Sequence, residues 1–516
     1  MLLRIVSKGA RRYQFTGAHC CLYTPAVQYG FVIDQTRCIG CHACTVACKA
    51  ENDVPVGNFR TSVKYTEIGQ FPDVRRHFAV LRCNQCSDAP CVTICPVNAL
   101  EKRPDGIVDV DRDACIGCRA CMQACPYDAL YLNDDLGAVE KCHFCAHRIE
   151  KGLEPACVVV CPVQAIIPGD LDDPNSKPAQ IIADNDTKVC RPEQGTGPNV
   201  HYLGADEVSL NPGSAARPPT YLWSDRPKDK PEDWPLSLPL ALDATTVLDT
   251  GHRVEWGWPV AAYLVTKGIA AGAAMLAPFA AVFGLTGFGL NYAPEILALL
   301  FVLVTLALLV EDLARPMLFY RLLTRPNFKS WLVRGGIILG VFVITVASTI
   351  VLRFNGADAA AEAMRWISAA LGVAVAGYTA FLFAQCKGRD LWESKLLLPH
   401  LLIQAFLCGS CVLLPFASFS GELKLILIVS AIAHGCLAVW EAMRKHATTN
   451  AQQAAAFLRS MRFGRLEAIV HGVIVAGVLT VIVTLVLPQI AFVLVLLSLF
   501  AYESAYIRAA QLPPLS

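Results

Sequence analysis

Cys38-Ile39-Gly40-Cys41-His42-Ala43-Cys44-Thr45-Val46-Ala47-Cys48 is the stretch on which the reading of this sequence turns. Two, two and three residues separate its thiols. The same spacing returns at Cys115, Cys118, Cys121 and Cys125, behind an identical Cys-Ile-Gly-Cys opening. In runs of this kind three thiolates wrap one iron–sulfur cubane, and the fourth, on the helix that follows, reaches a neighbouring one. Soft thiolate suits such iron, one sulfur to each corner. Two further groups, Cys83, Cys86, Cys91, Cys95 and Cys142, Cys145, Cys157, Cys161, bring the patterned thiols to sixteen of 23 cysteines. Pro96, Pro126 and Pro162 each follow the last cysteine of a group, whereas Lys49 takes that place in the first group.

Sixteen thiolates, four to a cubane, predict four [4Fe–4S] clusters. Paired Cys-x-x-Cys also builds zinc ribbons, but two complete ferredoxin runs favour iron. In a secreted chain such cysteine density would read as a disulfide framework; the two-residue gaps favour ligation instead. Cys83 to Cys95, followed by Pro96-Val97-Asn98-Ala99, returns loosely as Cys142 to Cys161, followed by Pro162-Val163-Gln164-Ala165. The region therefore reads as a duplicated two-cluster unit. Cys20, Cys21, Cys190, Cys386 and Cys436 stand outside any pattern, and Cys408 and Cys411, inside an apolar run, read as packing residues.

Outside this region the composition changes. The chain has 516 residues, too many for one ordinary domain, and its long apolar runs all lie after residue 258. The expected fold is an α+β bis-ferredoxin-type iron–sulfur domain followed by an all-α polytopic membrane bundle of about eight transmembrane helices. The expected division is a leader over 1–29, the cluster domain over 30–205, a Pro-, Asp- and Lys-rich linker with little core over 206–255, and the membrane domain over 256–516. Arg11-Arg12 precedes no continuous apolar stretch, which argues against an export signal. A formal net charge of +1 makes no case for nucleic acid.

The expected spans are 259–284, 293–311, 333–353, 366–386, 397–419, 424–443, 466–486 and 490–507, each near the ~20 apolar residues that cross a bilayer. Trp256, Trp258, Trp331, Trp366, Trp392 and Trp440 fall near span ends, where indole rings favour the headgroup layer. Fourteen Lys and Arg fall in the loops and C-terminus on the side of the cluster domain, and only Arg353, Arg365 and Lys424 on the other. Short-loop cations stay in the cytoplasm, so the cluster domain is expected there. A reducing compartment also keeps thiols free for cluster insertion.

Ionisable groups within spans are costly and usually functional. Lys267, Glu311, Asp312, His400, His434, Glu441, His471 and Glu503 all map to the half of the membrane nearer the clusters. Of these, Lys267, Asp312, His434, Glu441 and His471 are the candidate quinone and proton site. The acids near helix ends could simply be wetted, and Lys267 could snorkel to the surface. His434 and His471 sit on successive antiparallel helices and could flank a b-type haem; a quinone pocket is preferred and no haem is expected. The opposite half carries almost no such groups, which counts against a proton path through the membrane.

Four cysteine groups in this order resemble the iron–sulfur subunits of the dimethyl-sulfoxide-reductase and polysulfide-reductase class. Gly195-Thr196-Gly197-Pro198 with Tyr202-Leu203-Gly204 extends the likeness past the fourth group. The resemblance implies four ligand sets: Cys38, Cys41, Cys44 with Cys161; Cys48 with Cys142, Cys145, Cys157; Cys83, Cys86, Cys91 with Cys125; and Cys95 with Cys115, Cys118, Cys121. Some relatives replace the second cysteine of the third group and hold a three-iron cluster; Cys118 stands there in this chain, which implies a full cubane.

Three motifs resemble the haem-free, quinone-binding NrfD-like membrane subunit. They are Trp256-Gly257-Trp258-Pro259 with Lys267-Gly268-Ile269-Ala270-Ala271-Gly272; Asp312-Leu313-Ala314-Arg315-Pro316 with Arg325-Pro326 and Ser330-Trp331; and Gln511-Leu512-Pro513-Pro514-Leu515-Ser516. In relatives the two proteins are usually separate chains; here they are fused. The implied function is an electron conduit in the bacterial inner membrane, between a catalytic partner, expected to be a molybdopterin oxidoreductase, and the quinone pool. The competing expectations are a redox-driven proton translocator and a haem b anchor.

Overall fold

The computed structural model describes residues 27–216, 244–251, 253–285, 290–417, 420–460 and 469–515, without the side chains of 469–471 and 474. Most of the expected leader and the centre of the expected linker lie outside these residues.

The cluster domain is built from short elements. Strand β1 (Tyr29–Asp34) is aromatic and β-branched at Phe31, Val32 and Ile33, all fully buried. The other strands are β2 (Thr61–Ile68), β3 (Arg75–Arg82), β4 (Leu100–Lys102), β5 (Val108–Val110), β6 (Leu130–Asn133), β7 (Ala138–Lys141), β8 (Ile166–Asp170), β9 (Thr187–Val189), β10 (Val200–Leu203) and β11 (Ala244–Leu248). Helices α1 (Ala43–Glu51), α2 (Pro90–Ile94), α3 (Ala120–Ala124), α4 (Ala146–Ile149), α5 (Ala156–Val159), α6 (Lys177–Asp184) and α7 (Glu207–Leu210) lie between them.

One sheet has the order β8-β1-β10-β9, with β1 parallel to β10 and antiparallel to β8. Ile33 faces Ile166 in this register. Cys38 leaves the end of β1 and Cys161 precedes the start of β8, so the antiparallel pairing draws the first and fourth cysteine groups together. The second sheet, β11-β2-β3, corrects the linker expectation: Ala244 to Leu248 pair with β2, with Ala244 opposite Ile68. Residues 244–248 are thus part of the cluster domain's structure, and α7 also falls inside the expected linker.

The second half is all helical: α8 (Trp258–Leu276), α9 (Ala293–Glu311), α10 (Arg321–Thr324), α11 (Trp331–Phe354), α12 (Asp358–Ala384), α13 (Leu397–Leu413), α14 (Gly421–Met443), α15 (Thr449–Ser460), α16 (Ile469–Val486) and α17 (Ala491–Gln511). Among the described residues six helical stretches are long and apolar enough to cross a membrane, while Leu397–Leu413 and Val475–Val486 are apolar but shorter. Helix α12 starts at Asp358, two turns before the expected 366, so Arg365 lies inside it. Helix α15 arises where only a charged loop was expected; it buries Ala451, Ala454, Ala455, Phe457 and Leu458.

Helix α8 is the axis of the bundle and is buried along nearly its whole length. It touches α13 backbone to backbone: a Cβ at Gly272 would lie 1.8 Å from the Ala405 carbonyl oxygen. Small residues permit such approach, and close packing is what binds helices in lipid.

Candidate functional site

The repeated cysteine runs fold into repeated loops. Gly40 and Gly117 both take φ +69°, and His42 and Arg119 take φ +58° and +59°. A left-handed turn between thiols folds the loop back on itself, and glycine takes that conformation without strain.

Three cysteine-lined cavities follow from this folding. Cys38, Cys41, Cys44 and Cys161 line one. Cys83, Cys86, Cys91 and Cys125 line the second, and Cys95, Cys115, Cys118 and Cys121 the third. Cys48, Cys142, Cys145 and Cys157 also gather: the Asn52 amide lies 3.7 Å from Cys48 Sγ and 3.9 Å from Cys145 Sγ, and each thiol of the group bears on Cys48. All 21 described cysteines are free of disulfides.

These sites fit iron–sulfur clusters. Among the described residues no three His, Cys, Asp or Glu side chains converge on a single-ion centre, whereas the cavities take a larger body edged by sulfur. Burial, reinforced by neighbouring thiols, pushes Cys44 up to about 11 and Cys48 up to about 12, although Arg82 opposes this at both. Iron must therefore displace protons to bind here, which couples assembly to pH.

The cavity of Cys95, Cys115, Cys118 and Cys121 is seated on the membrane half. The loop after α9 closes over it. Ala314 and Arg315 donate from their backbone to the Gly117 and Ile116 carbonyls, both at 3.3 Å. Further along, Asn327 Nδ2 donates to the Cys95 carbonyl at 2.8 Å, and Ser330 Oγ to that of Ile94 at 2.7 Å. Ahead of α8, Trp256 Nε1 donates to the Cys118 carbonyl at 3.3 Å. Trp256 stacks on Trp392 with ring centroids 5.6 Å apart, and Trp392 on Phe383 at 4.6 Å. Trp256 and Trp392 are buried within the protein, whereas Trp258, Trp366 and Trp440 are exposed.

Residues that sequence reasoning did not single out hold this junction. Gln511 donates to the Trp256 carbonyl at 2.8 Å and accepts from Gln123 at 2.9 Å. Buried Arg389 donates to Gln123 Oε1 at 2.8 Å. The only sequence signals were Gln511's place in a recognised terminal motif and Arg389's place among the loop cations.

The candidate membrane residues have separate partners. Lys267 is 1 % exposed and donates to Thr379 Oγ1 and to the Ala376 carbonyl of α12, so it does not snorkel. Asp312 lies just past α9, 3.7 Å from Arg119. Burial, opposed by Arg119 and reinforced by Glu311, pushes the Asp312 carboxyl up to about 6. His434 meets His400, with Nε2 of His400 2.7 Å from Nδ1 of His434; it is this residue, on α13, that structure sets against His434. The His471 side chain lies outside the described residues. Glu441 is ion-paired to Arg444 at 2.9 Å. Among the described residues no hydrogen bond joins Lys267, Asp312, His434 and Glu441 to one another.

Beside the histidine pair, Gln404 donates to buried Glu503 at 2.6 Å, and the Tyr502 ring packs edge-on against His434. His434 also lines a partly open cavity with Leu407, Ala431, Thr480, Val495 and Ser498.

The opposite membrane half is not bare. Arg365 Nε donates to Glu295 Oε1 at 2.5 Å, Arg353 lies 4.0 Å from the same carboxylate, and both cations reach Glu362 at 3.4 Å. The sequence expectation missed this cluster: Glu295, inside the expected span 293–311, was not singled out, and Arg365 read as loop ahead of 366.

Comparison with known proteins matches these two halves. A family model for a 4Fe–4S dicluster domain covers residues 74–171, one for a 4Fe–4S binding domain covers 29–50, and one for polysulphide reductase NrfD covers 246–507. A tetrathionate reductase subunit of Salmonella typhimurium is 43% identical over 206 residues, 39% of this chain and 82% of the relative. The thiosulfate reductase electron transfer subunit PhsB of Salmonella typhi is 47% identical over 149 residues, 28% of this chain and 78% of the relative. Protein NrfC of Escherichia coli is 40% identical over 180 residues, 34% of this chain and 81% of the relative. With six apolar helices of spanning length and an iron–sulfur domain fused ahead of them, the chain is a multi-pass membrane protein that belongs to the polysulphide reductase NrfD family and carries its 4Fe–4S electron-transfer module in the same polypeptide.

Proposed function

We propose that this chain passes electrons between a catalytic partner, of molybdopterin type, and the quinone pool of the bacterial inner membrane. In this reading residues 30–205 form the cluster domain and 256–516 the membrane domain, with all eight apolar helices crossing the bilayer. The cluster domain faces the cytoplasm, a placement supported by the fourteen loop cations on its side. The ligand sets are Cys38, Cys41, Cys44, Cys161; Cys48, Cys142, Cys145, Cys157; Cys83, Cys86, Cys91, Cys125; and Cys95, Cys115, Cys118, Cys121. Bound there, four cubanes supply one-electron carriers.

The observation that carries the reading is the seating of the Cys95, Cys115, Cys118 and Cys121 cavity on Trp256 and on the loop after α9. Electron exchange with the membrane half needs a cluster site in contact with it. At the other extreme Cys41 is exposed, with Ile39, Val46 and Val159 each more than half exposed near it. That apolar rim suits a docked partner.

The quinone is placed in the cavity beside His434. Its walls are mostly apolar, with Thr480 and Ser498 among them, and His434 and its hydrogen-bonded neighbour His400 stand ready to hold or release a proton at the ring oxygen. Glu503, Gln404 and Tyr502 extend the polar group beside the histidine pair. The test is anaerobic addition of a quinol analogue to the iron-loaded chain. Bleaching of the broad visible cluster absorbance, much slower in His434→Ala, is expected; a chain whose clusters neither reduce with quinol nor reoxidise with quinone would overturn the reading.

A second reading, redox-driven proton translocation, gains from the buried Glu295–Arg365–Arg353 cluster. Charge movement across proteoliposomes that is lost in Glu295→Gln while quinol oxidation persists would favour it.

A further inference from the structure

Two buried cations in the cluster domain have no carboxylate to answer them. Arg82, the last residue of β3, is 4 % exposed and lies with its guanidinium carbon 4.5 Å from the centre of the Phe31 ring. Its Nη1 donates to Cys157 Sγ at 3.3 Å, while Nε and Nη2 make no hydrogen bond within the protein. Lys141, the last residue of β7, is 2 % exposed and donates to the carbonyls of Val108 and Cys142. Among the described residues neither forms an ion pair. A lone buried charge is strongly unfavourable unless an anion stands close by.

The surroundings name that anion. Cys157 accepts from Arg82 at 3.3 Å, and Cys142 and Cys44 are the other thiols whose charge bears on it. Cys44 belongs to the first ligand set, and Cys142 and Cys157 to the second. Lys141 grips the Cys142 backbone of the second set and bears on Cys86 and Cys91 of the third. Arg82 thus stands in the gap between the first and second cluster sites, and Lys141 in the gap between the second and third.

We propose that Arg82 and Lys141 are fixed positive charges built into successive gaps between cluster sites, where they raise the reduction potentials of the clusters on either side. The proposal rests on the ligand sets given above. Each one-electron reduction adds a negative charge to a cluster, and a cation close by in a poorly polarisable interior stabilises that charge. Net charge and hydrogen bonds to sulfur are the levers that set such potentials, and Arg82 supplies both. Because the attraction falls with distance, each cation acts mainly on its two neighbours. Both are positioning residues; neither need touch a substrate.

The test is a redox titration followed by electron paramagnetic resonance on the full-length, iron-loaded chain in detergent. Arg82→Met should keep the wild-type iron content and shift two centres to more negative potential. Arg82→Lys, which restores the charge, should return them toward wild type. Lys141→Met should shift a pair that shares one centre with the first. Arg76→Met, which removes an exposed charge from the same strand, should shift none. Unchanged potentials in Arg82→Met and Lys141→Met at full iron content would overturn the proposal, as would an equal shift in Arg76→Met. If either Met variant fails to load iron, the corresponding Gln variant decides by the same criterion. A wild-type chain that binds no iron would instead sink the cluster assignment itself.

Discussion

Trp256 Nε1 donates to the carbonyl oxygen of Cys118 at 3.3 Å, so a residue just ahead of the first membrane helix is bonded to a cysteine of the third group. This contact binds the two halves together. Trp256→Phe keeps the ring stack and loses one hydrogen bond, at a cost of about 1 kcal/mol. The expected result is full iron content, a slightly lower melting midpoint, and slower exchange of electrons between quinol and clusters in stopped-flow absorbance.

His434 is joined to His400 at 2.7 Å and lines the mostly apolar cavity. His434→Ala removes the group expected to handle the quinone's proton, a role worth ~10²-fold or more in rate. Quinol-driven bleaching should slow by that order while iron content and dithionite-driven bleaching stay normal. Equal loss with both reductants would mean that the histidine only supports the fold.

Gly272 crosses α13 with no room for a side chain, since a Cβ would lie 1.8 Å from the Ala405 carbonyl and 2.7 Å from the Gly409 nitrogen. Both obstacles are backbone and cannot rotate away. Gly272→Leu should destabilise the bundle by ~3 kcal/mol or more, measured as a fall in the unfolding midpoint of the detergent-solubilised chain. Gly336, with nothing within 4 Å of its Cβ, should accept alanine without such loss.

Asp312 gives a pH dependence with a definite sign. Its folded pKa of about 6 is above the ordinary 3.8, so the folded chain holds this proton more tightly than the unfolded chain. The stability it contributes is complete below the unfolded value and is lost as pH rises through about 6. Asp312→Asn carries no such loss. The variant should therefore exceed wild type in unfolding free energy at pH 8, by at most about 3 kcal/mol, with the gap narrowing toward pH 5. A gap independent of pH would remove Asp312 as its source.

Much of the fold was legible in the chain because its signals are local. Cysteines two or three residues apart must share a loop, and apolar runs of about twenty residues must leave water. The duplication was legible too, and it reappears as matching left-handed turns at Gly40 and Gly117. Span ends were less legible: Arg365 looked like a loop residue until Glu295, seventy positions earlier, was seen to hold it inside α12.

Sequence alone therefore determined the ligand type, the two-part division and the helical character of the second half, since each depends on residue type and spacing along one segment. Only tertiary structure decided that the Cys95, Cys115, Cys118 and Cys121 cavity meets the membrane half, that β11 joins the second sheet, and that Trp256 and Trp392 are buried at the junction. It alone also put Arg82 and Lys141 among thiols from different groups. These facts rest on contacts between residues far apart in the chain, and a buried charge or indole declares its partner only once the backbone has brought the two together.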